Sequence, residues 1–192
     1  MSLLERLVAA SGLLLAAMLT AAAGTIEERV AVCSACHEET GQSSETQVPS
    51  LGAQPAPYVL IQLYLFREQQ RRVEPMTQAA QGLTDDELRQ IADFVSKLPA
   101  PKPPTDPLDA PRIERGRALI QKNHCGFCHN PDFSGHDNVP RLAAQHEAYL
   151  LKALREYKSN TRPGYDATMA EVVQPLSDAD LVDLAYLMAH AQ

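Results

Sequence analysis

The chain has 192 residues, of which 45 % are hydrophobic and 21 % charged, with a formal net charge of −7. That balance belongs to an ordinary globular protein and excludes a disordered or fibrous chain. The negative sign argues against a nucleic-acid partner, and no apolar run after residue 24 is long enough to span a bilayer.

Residues 1–24 open with a short polar segment holding Glu5 and Arg6, continue as the 17-residue apolar run Leu7 to Ala23, and end in Ala21-Ala22-Ala23-Gly24. The layout predicts a secretory signal cleaved after Ala23, or an uncleaved anchor at the lower length limit for crossing a membrane. Both readings stay open. Glu5 cancels Arg6, and cleavage after Ala23 leaves only nine residues before Cys33. A retained segment running on as one helix would supply the missing turns.

Cys33-Ser34-Ala35-Cys36-His37 comes next. Two thiols three residues apart with a histidine directly after can hold a haem both covalently and axially. Cys33 and Cys36 would form thioethers to the vinyl groups, and His37 would ligate the iron. A second copy, Cys125-Gly126-Phe127-Cys128-His129, lies 92 residues further on, and the two copies use all four cysteines of the chain. A zinc ribbon brings its two pairs within roughly 15 to 20 residues and needs no histidine after each. A thioredoxin-like site needs a βαβ context, whereas these surroundings read as helix. The motifs therefore predict two covalently bound haem c groups.

The rest of the chain repeats as well. Val48-Pro49-Ser50-Leu51-Gly52-Ala53-Gln54 matches Val139-Pro140-Arg141-Leu142-Ala143-Ala144-Gln145, and Tyr58, Leu63 and Phe66 match Tyr149, Leu154 and Tyr157, an amphipathic helix in each half. Met76 and Met169 follow. Leu83-Thr84-Asp85-Asp86-Glu87 then matches Leu176-Ser177-Asp178-Ala179-Asp180, a helix start with Thr84 or Ser177 as N-cap and acids in the first turn. The last helix of each half puts Leu88, Ile91, Val95 and Leu98, or Leu181, Leu184, Leu187 and Met188, on its apolar face. Six prolines between Leu98 and Arg112 predict an extended, semi-rigid spacer. The expected architecture is all-α: two tandem cytochrome c-like helical domains at 25–98 and 112–192, joined by a Pro-rich linker at 99–111.

The sixth iron ligand follows by elimination in the first half. Between Thr25 and Leu98 there is no histidine besides His37, no spare cysteine and one methionine, Met76. The alternatives are an open site, a lysine or an amine. In the second half Met169 holds the place that Met76 holds relative to the Leu-Ser/Thr-acid helix start. Met188 reads as packing, and His124, His136, His146 and His190 as surface or capping residues. A thioether opposite an imidazole favours ferrous iron, raises the potential and leaves no position for an external ligand. Such a site carries electrons.

Taken together, the two CxxCH motifs, the Pro-x-Leu-x-x-Gln segments, Tyr58-Val59 and Tyr149-Leu150, the methionines Met76 and Met169 and the acid-capped last helices resemble the dihaem cytochromes c4, and more broadly class I c-type cytochromes. The resemblance covers nearly everything after Gly24. It implies two cytochrome c folds packed as a pseudo-symmetric pair, with electrons passing between the haems and on to a terminal oxidase or other periplasmic partner. It also implies that the carbonyls of Pro49 and Pro140 accept a hydrogen bond from the proximal histidines. The chain departs from the family where a glycine commonly follows CxxCH, with Glu38 and Asn130 instead, and where Leu-Ala-Gly-Gln becomes Leu-Gly-Ala-Gln and Leu-Ala-Ala-Gln.

The function read from these residues is single-electron transfer in the periplasm, by a soluble or membrane-held protein with no catalytic residues and no small-molecule substrate. Its partners would be a terminal oxidase, a dehydrogenase or a cytochrome bc1-type donor, and it could serve as the cytochrome subunit of a complex. The competing readings are a dihaem peroxidase or thiosulfate dehydrogenase, and a haem-based sensing module. Peroxidases are longer and need an open iron, and the thiosulfate-oxidising type needs a cysteine ligand that this chain lacks. Residues 25–98 carry 11 acids and 6 bases, against 10 and 9 in residues 112–192. That asymmetry reads first as a solvated acidic surface and second as a docking face for a basic partner.

Overall fold

The computed structural model describes residues 25–163 and 167–192. The segment read as signal or anchor lies outside the described residues. Among these the chain is all-α, with four helices in the first half: α1 (Ile26–His37), α2 (Ala56–Arg67), α3 (Glu74–Ala80) and α4 (Asp85–Ser96). The second half has five, α5 (Ala110–Lys122), α6 (Gly126–His129), α7 (Glu147–Lys158), α8 (Thr168–Val173) and α9 (Asp178–Ala189).

Local chemistry sets the helix starts. Thr84 and Ser177 each accept a hydrogen bond from the backbone N–H three residues on, while Glu87 and Asp180 reach back to the cap N–H. These are complete capping boxes. Thr25 and Glu28 form a third one ahead of α1, with Thr25 in an extended conformation. The first motif helix thus has its own capped start at Thr25. Asp109 caps α5 through the N–H of Arg112.

Besides a smaller cluster of Ile113, Tyr186 and Leu187 between α5 and α9, the buried apolar side chains fall into two main cores. One joins Val59, Leu63 and Phe66 of α2 to Leu88, Ile91 and Val95 of α4, and the other joins Leu150 and Leu154 of α7 to Leu181, Leu184 and Met188 of α9. Met188 occupies the core position that Val95 fills in the first half, so its thioether is packing. Leu98 is half-buried and lies past the end of α4. In the second half α5 crosses α9 at Gly116, where an added Cβ would lie 2.9 Å from Leu187 Cβ and 3.0 Å from the Asp183 carbonyl. Only glycine allows the helices so close.

The proline-rich spacer is extended, and it is also pinned to the first half. Gln42 Nε2 donates to the Lys102 carbonyl at 3.2 Å and the Lys102 N–H returns to Gln42 Oε1 at 3.2 Å. The Pro99 carbonyl sits where a Cβ on Gly52 would be. At its far end the Asp109 N–H reaches the Tyr186 hydroxyl at 2.8 Å.

The halves meet through hydrogen bonds that repeat across a pseudo-twofold axis. Gln145 Oε1 accepts from the Ser50 N–H and Gln145 Nε2 donates to the Ser50 carbonyl, both at 2.8 Å. Gln54 makes the same pair with the backbone of Arg141, at 2.9 and 3.0 Å. Gln54 and Gln145 are 91 residues apart, as are Ser50 and Arg141. The contact is self-complementary in the way of a twofold dimer, inside one chain.

Candidate haem sites

Each CxxCH segment is helical, so its two thiols lie on one turn and its histidine falls on the next. The first is the end of the continuous helix α1. The second is set off from α5 by His124, whose φ of 54° breaks the run before the single-turn helix α6. His37 and His129 are buried. His37 Nδ1 donates to the Pro49 carbonyl at 2.8 Å, and His129 Nδ1 to the Pro140 carbonyl at 3.0 Å. That bond fixes the proton on Nδ1 and leaves the Nε2 lone pair for a metal. Burial pushes both imidazoles below their usual range, against the opposing effect of the proline carbonyls, which favours the neutral ring that a metal would need.

Cys33 and Cys125 are partly buried, whereas Cys36 and Cys128 are exposed. Burial raises the thiols of Cys33 and Cys125 and keeps them protonated. In the first half Cys33 and Met76 line one mostly apolar cleft of about 50 Å³, whose other walls include Arg29, Val32, Leu63, Leu83 and Ile91. The structure therefore brings the motif of α1 and the methionine of α3 to a common apolar space. Met169 sits on α8 against the second core, in the position equivalent to Met76. Another cleft, about 380 Å³ between α5, Phe133 and the end of α9, touches none of these residues.

The donor set fits haem c: paired thiols on one turn, a neutral imidazole with Nε2 free, and an apolar cleft shared with a thioether. Among the described residues no group of three or more His, Cys, Asp or Glu side chains could hold a metal ion. His124 and His136 are exposed, and His190 is the C-cap of α9. His146, the N-cap residue of α7, reaches across the joint to place Nε2 2.8 Å from the Ser43 carbonyl.

The backbone explains why glycine is common after the motif. Glu38 has φ 59° and ψ 161°, and Asn130 has φ 67° and ψ 156°, a region that side chains ordinarily avoid. Each side chain ties its own loop in compensation. Glu38 accepts from the Ser44 N–H at 2.8 Å, and Asn130 Nδ2 donates to Ser134 Oγ and the Gly135 carbonyl.

A group that the sequence reading left without a role stands at the joint. Arg71 and Arg162 are buried there, and Arg71 Nη2 lies 3.4 Å from the Tyr149 hydroxyl. Arg162 Nη2 lies 3.2 Å from the Tyr149 hydroxyl and 3.5 Å from that of Tyr58. The signal was present: Arg71 and Arg162 have the same 91-residue offset as Tyr58 and Tyr149.

The Cytochrome c family profile matches residues 113–192. Cytochrome c4 of Stutzerimonas stutzeri is 33 % identical over 82 % of this chain and 83 % of its own length. The thiosulfate dehydrogenase electron acceptor of Thiomonas intermedia is 29 % identical over 83 % of this chain and 78 % of its own. In three dimensions the chain is similar to reduced recombinant cytochrome c4 from Pseudomonas stutzeri, with a TM-score of 0.79 and 28 % identity, covering 88 % of this chain and all of that one. With paired motif helices, carbonyl-bound histidines and relatives that match both halves, the chain belongs to the cytochrome c4 family: it is an electron-transferring c-type cytochrome that binds haem c covalently.

Proposed function

We propose that the chain is a periplasmic dihaem carrier made of two domains, residues 25–98 and 112–192, with 99–111 as linker. Cys33 and Cys36 would hold one haem and Cys125 and Cys128 the other, with His37 and Met76, and His129 and Met169, as the axial pairs. The haem groups supply the one-electron couple. The protein's own residues fix the imidazoles through Pro49 and Pro140; the largely apolar walls around Met76 would exclude water, and the histidine and methionine of each half would ligate the iron so that no substrate binds. The observation that carries this reading is the cleft shared by Cys33 and Met76, repeated in sequence by Cys125 and Met169.

Electrons would enter from a respiratory or sulfur-oxidising dehydrogenase, or from a cytochrome bc1-type donor, and leave to a terminal oxidase. The name of the Thiomonas relative supports the first of these sources. Whether the protein diffuses freely or stays at the inner membrane depends on residues 1–24; among the described residues no helix is long and apolar enough to cross a membrane.

Haem stoichiometry and ligand variants test the reading. Two haems per chain are expected, with a sulfur-to-iron charge-transfer band in the oxidised protein and no carbon monoxide adduct when reduced. Met76→Ala and Met169→Ala should each abolish half of that band and open one iron to carbon monoxide. An unchanged spectrum in either variant would refute that ligand.

A further inference from the structure

The cleft of the first half is bordered by a charge that the second half does not repeat. Arg29 stands one turn before Cys33 on α1 and lines the same small cleft as Cys33 and Met76, with Cys33 Sγ 3.7 Å from the Arg29 carbonyl. Its Nε meets Glu87 Oε1 of α4 at 2.7 Å. Both atoms are shielded from solvent, and neither makes a hydrogen bond to any other described group. The second oxygen of Glu87 is taken by the N–H and hydroxyl of Thr84, at 2.7 and 2.8 Å, so the carboxylate is fixed to the start of α4.

The pair is therefore an oriented dipole. Arg29 borders the cleft and Glu87 does not, which sets the positive end toward the space between the first motif and Met76. Hydrogen bonds from Thr84, with a smaller contribution from Arg29, hold the Glu87 carboxyl below its usual range and keep it ionised. The Arg29 side chain is 42 % exposed, so water screens part of its field and its effect on a neighbouring charge is modest.

The second half builds these two positions differently. Gln121 stands four residues before Cys125, as Arg29 does before Cys33, and Asp180 is the third residue of its helix, as Glu87 is. An uncharged amide thus replaces the guanidinium. The shorter Asp180 side chain closes its own capping box on Ser177, at 2.8 and 2.7 Å.

We propose that Arg29 tunes the iron of the first half alone: its guanidinium, bordering the space between Cys33 and Met76, favours the ferrous over the ferric state and holds that potential up, while Glu87 opposes it from further away. Arg29 acts on the iron through its charge and is not a ligand. The two halves then differ in potential through one ion pair, although their proposed ligands are alike. The proposal rests on the two-haem reading above.

Spectroelectrochemical titration of the full-length holoprotein tests it, beginning with a count of haems in the unsubstituted protein. Fewer than two would defeat the two-haem reading, and the proposal with it. With two bound, the wave of the first iron is the one that moves in Met76→Ala. Arg29→Gln should raise the ferric-to-ferrous ratio of that iron at a fixed electrode potential by about threefold, equivalent to about 28 mV for one electron, and leave the second iron in place. Glu87→Gln, whose side chain can still complete the capping box, should shift the same ratio the opposite way. Arg29→Lys keeps the charge and should stay near the parent, which guards against a folding defect in the glutamine variants. Opposite signs are what charge requires. A shift in one direction for both glutamine variants would show that the pair only holds α1 against α4, and the proposal would fall. It falls equally if the first iron does not move, if the second moves as much, or if lysine fails to keep the parent value.

Discussion

Asn130 shows at the scale of one residue how a strained backbone position is tolerated. Its φ and ψ fall where glycine alone is comfortable, at a price of order 1–3 kcal/mol, while its amide ties Ser134 and Gly135 into the turn that carries the second motif's loop. Two substitutions separate these effects. Asn130→Ala keeps the strain and loses both ties, and should lower unfolding stability by about 2 kcal/mol. Asn130→Gly loses the ties but relieves the strain, and should stay within about 0.5 kcal/mol of the parent. Denaturant unfolding of the holoprotein reads both, and equal losses would mean that the backbone at this site is not strained. The candidate haem-attachment residues were legible from the sequence for a simple reason. Covalent haem attachment demands Cys-x-x-Cys-His as a contiguous string, and the same string carries the geometry. The left-handed turn after it was legible only as a missing glycine, because φ is not written in side-chain pattern.

Between elements, the crossing of α5 and α9 depends on a buried carboxylate. Asp183 receives a bidentate pair from Arg115, at 2.5 and 2.9 Å, and lies 3.6 Å from Arg112, whose guanidinium also stacks 3.9 Å from the Tyr186 ring centroid. The Arg115 hydrogen bonds, ahead of the opposing effect of burial, hold the Asp183 carboxyl below its ordinary value. An unfolded aspartate, with a pKa near 4, binds its proton more readily than this one, so the pair stabilises the fold above about pH 4 and loses its contribution as pH falls through the folded value. Asp183→Asn should therefore cost about 2 kcal/mol at neutral pH and progressively less in acid. Parallel unfolding curves of parent and variant from pH 7 to pH 3 measure it, and a gap that fails to narrow would assign the loss to packing. The helices were legible because their caps and apolar periods are local. This pair was not, since 68 residues separate its members.

At the scale of the whole molecule the question is whether the halves unfold as one body. Their cores share no buried residue, and the linker is held by both: by Gln42 and Gly52 at one end and by Tyr186 at the other. What joins them directly is a small set of polar contacts arranged about a pseudo-twofold axis, in which each glutamine side chain mimics a strand neighbour for the opposite backbone. Sequence comparison aligned Gln54 with Gln145 but could not say that they face across an interface, because a repeat fixes equivalence and not contact. Gln145 is the stronger of the two. Both are buried, but Gln145 closes its two hydrogen bonds at 2.8 Å, and its Oε1 also takes the N–H of His146 at 3.1 Å. Gln145→Ala leaves two buried backbone groups of Ser50 unmet, which costs about 1–3 kcal/mol for each group that water cannot reach. Almost all of that loss falls on the joint and little on either core. Differential scanning calorimetry of the holoprotein should then resolve two transitions where the parent gives one, with Gln54→Ala intermediate because the Arg141 backbone is only partly buried. A single transition shifted downward in Gln145→Ala would mean that the two cores are coupled by more than this polar seam, and the linker contacts would be the next place to cut.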